Sequence, residues 1–143
     1  VADHDSVPPP PPGFIASRTR GPFTTHNGPY FQKVDEAGFE HAFFALQRHC
    51  NSMGIVHGGM LTAFLDGLLA TAVHRATGTA SVTIHLSVDF LSMARAGEWV
   101  TGTGILTRKT KELAFCEANV RVGSREVVRG SGVFKLMRKP IEI

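Results

Sequence analysis

The sequence predicts an α+β domain in which a curled antiparallel sheet of five to six strands wraps one long central helix. Three observations predict it. The run from Met60 to Val73 is apolar except for Asp66, the only Asp, Glu, Lys or Arg between Arg48 and Arg75, and a helix so apolar needs cover on most sides. Residues 80–90 alternate strictly, with Ala80, Val82, Ile84, Leu86, Val88 and Phe90 between Ser81, Thr83, His85, Ser87 and Asp89, the pattern of a half-buried strand. Further strand-like stretches follow on short loops such as Arg95-Ala96-Gly97 and Val122-Gly123-Ser124, and short connections favour antiparallel neighbours. A sheet that curls round the helix buries both most economically.

Residues 1–13 contain five consecutive prolines, Pro8 to Pro12, which favour an extended polyproline conformation and cannot pack a core. They read as a tail. Residues 17–29, with Gly21-Pro22, Asn27 and Gly28-Pro29, read as loop or short irregular structure. The expected division is therefore a proline-rich tail and irregular segment over 1–29 and a folded domain over 30–143.

Within that domain, 30–36 and 40–48 are expected strands, and the helix is expected over about 57–76. Gly78 supplies its stop, with His74 and Arg75 placed at the negative end of the helix dipole. Two other readings of the apolar run compete. Asp66-Gly67 reads as a turn that splits it, but apolar residues continue on both sides without another breaker. A membrane span needs ~20 apolar residues, but Asp66, His57 and several glycines interrupt this one, and a polar alternating strand follows. That strand, 80–90, covers roughly 36 Å at ~3.3 Å per residue. Strands over 98–108, 112–122 and 125–137 complete a meander, with Ala114, Cys116, Ala118, Val120 and Val122 on one face of the second.

A chain of 143 residues with 43% hydrophobic and 19% charged residues is one ordinary globular domain by size and usage. Two cysteines, Cys50 and Cys116, make no disulfide framework, and no apolar signal-peptide core is seen, which points to a cytoplasmic setting. The net charge of +3 is modest and its residues are dispersed, so neither nucleic acid nor a membrane is the expected partner. Arg108, Lys109 and Lys111 form one short basic group and Arg138 and Lys139 another; each reads as a solvated strand end or as an anion contact.

Asp66 is where chemistry is expected, because a carboxylate in low-dielectric surroundings is costly unless it is paired or used. Upstream, Asn51-Ser-Met-Gly-Ile-Val-His57-Gly58-Gly59 leads into the helix. Unpaired backbone N–H groups and the dipole favour an anion there, and glycine permits close approach. The same glycines read equally well as a tight turn without a ligand, and His57 as a cap. Histidines at 4, 26, 41, 49, 57, 74 and 85 show no strong metal-ligand spacing, so no metal is expected, and no Gly-x-Ser-x-Gly motif occurs.

Asn51, Gly54, His57-Gly58-Gly59 and Asp66, followed by an alternating strand carrying Thr83, resemble the hotdog-fold acyl-CoA thioesterases of the phenylacetate-pathway type, in the 4-hydroxybenzoyl-CoA thioesterase-like superfamily. The likeness covers about residues 38–138. It implies hydrolysis of acyl-CoA thioesters to free acid and coenzyme A, with no cofactor beyond the coenzyme A of the substrate. It makes Asp66 the carboxylate that activates water or attacks the thioester, and Gly58 the N–H donor to its carbonyl. Asn51 would position water or substrate, His57 would contact the thioester near sulfur, and Thr83 would orient water beside Asp66. A homodimer with sheets joined edge to edge is implied, often paired again into a homotetramer. A non-catalytic acyl-CoA-binding module and an acyl-thioester hydratase or dehydratase are the alternatives on the same fold.

Geometry adds an independent argument for the dimer. Gly58 and Asp66 lie eight residues apart, ~12 Å along one helix, whereas a reacting carbonyl needs its attacker and its oxyanion donor both within about 3 to 3.5 Å. If both act on one carbonyl, they come from different subunits. Gly59, Phe64, Leu65, Leu68 and Phe90 are expected to border the acyl group, and Arg108, Lys109, Lys111 or Arg129 to meet the coenzyme A phosphates.

Overall fold

The computed structural model describes residues 5–18 and 21–138; Lys139 of the second basic group lies outside the described residues. In chain order the elements are β1 (Ile15–Ala16), α1 (Pro22–Asn27), β2 (Tyr30–Asp35), β3 (Gly38–Phe44), a 3-10 turn (Gln47–His49), α2 (Gly58–Thr77), β4 (Ser81–Phe90), β5 (Trp99–Lys109), β6 (Leu113–Val122) and β7 (Arg125–Leu136). The strands form one antiparallel sheet in the order β1-β2-β3-β5-β6-β7-β4, and α2 lies against β4, β5, β6 and β7. This is the predicted α+β hotdog arrangement, but the expected meander is corrected: only β5, β6 and β7 follow one another in the sheet, and β4 pairs with β7 instead of β5 because α2 delivers it to the far edge.

Among the described residues the sheet has seven strands, because the N-terminal segment joins it. Ile15 pairs with Gln32 and Ala16 with Phe31, a strand too short for any periodicity to announce. The six residues of α1 likewise make less than two turns, with Pro22 at the start, where a missing N–H costs nothing. Arg48 fastens this segment by donating to the carbonyls of His26, at 2.9 Å, and of Gly28, and by pairing with Asp5 at 3.6 Å. His49 closes the other side: its Nδ1 accepts the Leu46 N–H at 3.0 Å and its Nε2 lies 2.7 Å from the Asn27 carbonyl. That turn ends β3 at Phe44, earlier than the run over 40–48 suggests.

Helix α2 runs one residue later than expected, with His57 as its cap and Gly78 at φ 68° donating its N–H to the His74 carbonyl at 2.8 Å. Glycine tolerates that left-handed conformation. Met60, Leu61, Phe64, Leu65, Leu68, Leu69, Ala72 and Val73 form one buried stripe, each Leu or Phe contributing ~1.5–3 kcal/mol. The opposite side carries Gly59, Ala63, Asp66, Gly67 and Ala70, none of them buried. The expectation of a helix covered on most sides is thus corrected: the sheet covers one side, and small residues make the other apolar in sequence while open in space.

Three glycines bring α2 close to the sheet. A Cβ on Gly130 would lie 2.6 Å from Leu65 Cδ2 and 2.6 Å from the Ser87 carbonyl oxygen, and one on Gly102 would lie 2.5 Å from Leu68 Cδ1. Gly132 is similarly crowded by Leu69. Backbone cannot move aside as a flexible side chain does, so Gly130→Ala is expected to lower unfolding stability by about 1–3 kcal/mol. Urea denaturation measures it, and an unchanged midpoint would mean that the helix-to-sheet spacing is not limiting.

Strand β4 departs from strict alternation. Thr83 pairs with Phe134 and His85 with Val133, leaving Ile84 bulged out of register. Residues paired across neighbouring strands share a face; Phe134 is buried in the core, so Thr83 faces α2, and so does Leu86 opposite Gly132. The bulge moves Thr83 from the polar face that its parity assigns to it onto the helix side. Val82 at 48% and Ile84 at 57% exposure, with Phe90 at 55% at the far end of the strand, lie along a sheet edge that pairs with no other strand among the described residues.

Candidate active site

Asp66 sits on the open side of α2, partly buried, and its Oδ1 accepts a hydrogen bond from Thr83 Oγ1 at 2.7 Å. The sequestration expected from the apolar run is not found, because at this point the helix faces a cleft rather than packed side chains. The cleft, about 540 Å³, is lined by Asp66, Thr83, Gly59, Thr62, Ala63, Phe64, Gly67 and Leu86 and by Phe23, Thr24, Tyr30 and His41. Cys116 lies beneath, and burial first and the Asp66 carboxylate second push its thiol up to about 11. The sulfur therefore stays protonated and is no nucleophile. Both cysteines are free.

At the helix start, His57 Nδ1 accepts the Gly59 N–H at 2.7 Å. An accepting Nδ1 puts the proton of the neutral ring on Nε2. With Gly59 engaged, Gly58 is the first helical residue whose N–H makes no hydrogen bond among the described residues. Its Cβ position is 3.5 Å from the Phe90 ring, so the open N–H stands beside the far end of β4. Asn51 shapes the loop before it: Oδ1 accepts from the N–H groups of Met53 at 2.9 Å and Ile55 at 3.3 Å, leaving its amide nitrogen without a partner among the described residues.

The structure brings together Asp66, Thr83, Gly59 and Phe64 in one cleft, and groups Gly58, His57 and Phe90 at the helix start. It does not join the two groups within one chain: Asn51, His57, Gly58 and Phe90 do not line the Asp66 cleft. Leu65 and Leu68 are fully buried and face the sheet glycines, so they are core. None of Arg108, Lys109, Lys111 and Arg129 lines the cleft either. Arg108 and Lys109 are exposed at the end of β5, and Arg129 pairs with Asp89 at 3.8 Å beside a separate depression of the sheet. Sequence reasoning missed Tyr30, His41, Phe23 and Gly67, which carry no motif and reach the cleft only through folding. Among the described residues no three His, Cys, Asp or Glu side chains gather as a metal site, and no helix is long and apolar enough to cross a membrane.

Residues 53–129 match the family model of the Thioesterase superfamily. The chain is 33% identical over 129 residues to Putative esterase PA0474 of Pseudomonas aeruginosa, covering 88% of this chain and 96% of that protein. It is 25% identical over 75 residues to Acyl-coenzyme A thioesterase 13 of Mus musculus, covering 52% of this chain and 54% of that one. The fold is similar to that of the BH2602 protein from Bacillus halodurans, crystallised with CoA, with a TM-score of 0.69 at 22% identity over 76% of this chain and 74% of that chain.

Proposed function

From the premise that the chain belongs to the thioesterase superfamily, we propose that it hydrolyses acyl-CoA thioesters at two equivalent sites of a symmetric homodimer, each taking Asp66 from one subunit and the N–H of Gly58 from the other. A mouse relative named as an acyl-coenzyme A thioesterase and a similar fold crystallised with CoA support the substrate class.

One observation carries the shared site. Asp66 is bonded to Thr83 at the start of β4, while Gly58 abuts Phe90 at its end, and this strand is the unpaired apolar edge of the sheet. Long apolar edges seek a partner strand. Antiparallel pairing of β4 with its copy, centred on Ser87, places Leu86 opposite Val88 and, with Ile84 bulged out, Thr83 opposite the partner's Phe90, each pair sharing a face. Each carboxylate then meets the open helix start of the other subunit. Leu91 and Met93, which follow β4 in the chain, are exposed apolar side chains as well.

The chemistry follows from these groups. The Gly58 N–H, at the positive end of the helix dipole, accommodates the negative charge developing on the thioester oxygen. Asp66 either takes a proton from the water that adds to the carbonyl carbon or adds itself, forming an anhydride that water then cleaves. The tetrahedral centre collapses with release of the coenzyme A thiolate, and Nε2–H of His57 is the donor available to the departing sulfur. Asn51, by its free amide nitrogen, is the candidate for holding water or substrate.

The test is release of free thiol from a panel of acyl-CoAs, with mass spectrometry of the acyl product. Thiol release with free acid formed supports hydrolysis; an acyl group hydrated with its thioester intact would replace it with a hydratase, and binding without turnover with a carrier. Thr83→Val keeps the shape of the side chain and deletes the bond to Asp66. Its kcat is expected to fall about tenfold to hundredfold, the value of one hydrogen bond to a charged group. Equal kcat in that variant would remove Thr83 from the site.

A further inference from the structure

The cleft that holds Asp66 continues past it, and this extension carries residues for which hydrolysis alone has no use. It crosses the open side of α2 at Ala63 and Gly67, beneath Phe23 of α1, and ends among Phe64, Tyr30 and His41. Gly67 stands in a helix interior, where glycine is disfavoured relative to alanine, and a Cβ there would meet nothing within 4 Å. The empty space above it is the passage itself. His41, on the helix-facing side of β3 opposite Gly102, makes no hydrogen bond from its ring among the described residues, its only ring contact being Phe39. Burial, and then the charge of Arg75, lower its pKa to about 4, and burial pushes the Tyr30 hydroxyl up to about 12. Both groups are thus neutral near pH 7 and able to donate and accept. His41 is only partly buried, so its unengaged ring is reachable from the cleft and available to a ligand atom that can hydrogen-bond to it.

We infer that this arm receives the acyl group, that Gly67 holds the passage open, and that His41 selects acyl groups whose far end carries a hydrogen-bonding atom over those of equal length ending in methyl. The inference rests on the proposed acyl-CoA hydrolysis and adds to it the class of acyl group and the residues that choose it.

Steady-state thiol release from acetyl-, hexanoyl- and decanoyl-CoA and from the ω-hydroxy counterparts of the longer two tests it. Wild type is expected to favour an ω-hydroxy substrate over its methyl-ended equivalent by about tenfold or more in kcat/KM, because a site built for a hydrogen bond rejects the analogue lacking it. His41→Phe abolishes that preference, and His41→Gln, which can again donate and accept, restores part of it. Gly67→Val narrows the passage and lowers the ratio of hexanoyl to acetyl turnover about tenfold, while Gly67→Ala raises Tm by ~2–8 °C as a helix-favouring change. The Gln rescue separates recognition from a merely structural role. A preference that survives His41→Phe, or long and short substrates declining in parallel in Gly67→Val, overturns the inference while hydrolysis stands. Absence of turnover with every acyl-CoA removes the hydrolysis reading and this inference together.

Discussion

Asp66→Asn is expected to lower kcat for acyl-CoA hydrolysis by about 10²–10⁴-fold, the usual contribution of a positioned acid–base group, while leaving fold and dimer unchanged. The amide has the size of the carboxylate and its carbonyl can still accept from Thr83 Oγ1, which now donates at 2.7 Å. What it loses is the ability to take a proton from water or to attack the thioester carbon. Because Asp66 stands in an open cleft, the neutral side chain relieves no large burial cost, so stability by urea denaturation should change little. Turnover at the wild-type rate would remove Asp66 from the mechanism. A single turnover in ¹⁸O-labelled water tests the nucleophilic role: label incorporated into Asp66 marks the anhydride route, with water entering at the aspartyl carbon.

Gly58→Pro is expected to cost about 10²–10³-fold in kcat, the price of one oxyanion donor, and it deletes that donor cleanly. Gly58 is the first residue of α2, a position that proline favours. His57 before it has φ −59° and ψ 138°, the extended conformation that a residue preceding proline adopts. Mixing this variant with Asp66→Asn tests whether sites are shared. Random reassociation makes half the molecules heterodimers, each with one intact site, so the mixture should recover about a quarter of wild-type activity. Sites built within single chains would give only the mean of the two defective parents.

Much of the proposed site was legible in the residues. Asp66 drew attention as the lone charge in the apolar run, and Gly58 as a glycine at a helix start, because charge and backbone freedom are local properties. Thr83 could not be placed from its pattern: strict alternation puts it on the polar face, and only the bulge at Ile84 turns it toward Asp66. The residues expected to border the acyl group divided the same way. Phe64 lines the cleft, while Leu65 and Leu68, indistinguishable from it by composition, face Gly130 and Gly102 as core. Which side of a helix meets a sheet depends on partners distant in the chain.

The sequence by itself determined the helix and its ends, the hairpins that join β5, β6 and β7, and the two groups proposed for the site, since periodicity, capping and turn residues act over a few neighbours. That β4 pairs with β7 rather than with β5, the next strand in the chain, was decided by the sheet as a whole. Tertiary structure alone decided that α1 and β1 belong to the sheet and cleft, that the open side of α2 faces a cavity, and that β4 ends as an unpaired edge. Those outcomes depend on contacts between segments tens of residues apart, and no local pattern encodes which surfaces will be covered when the chain closes on itself.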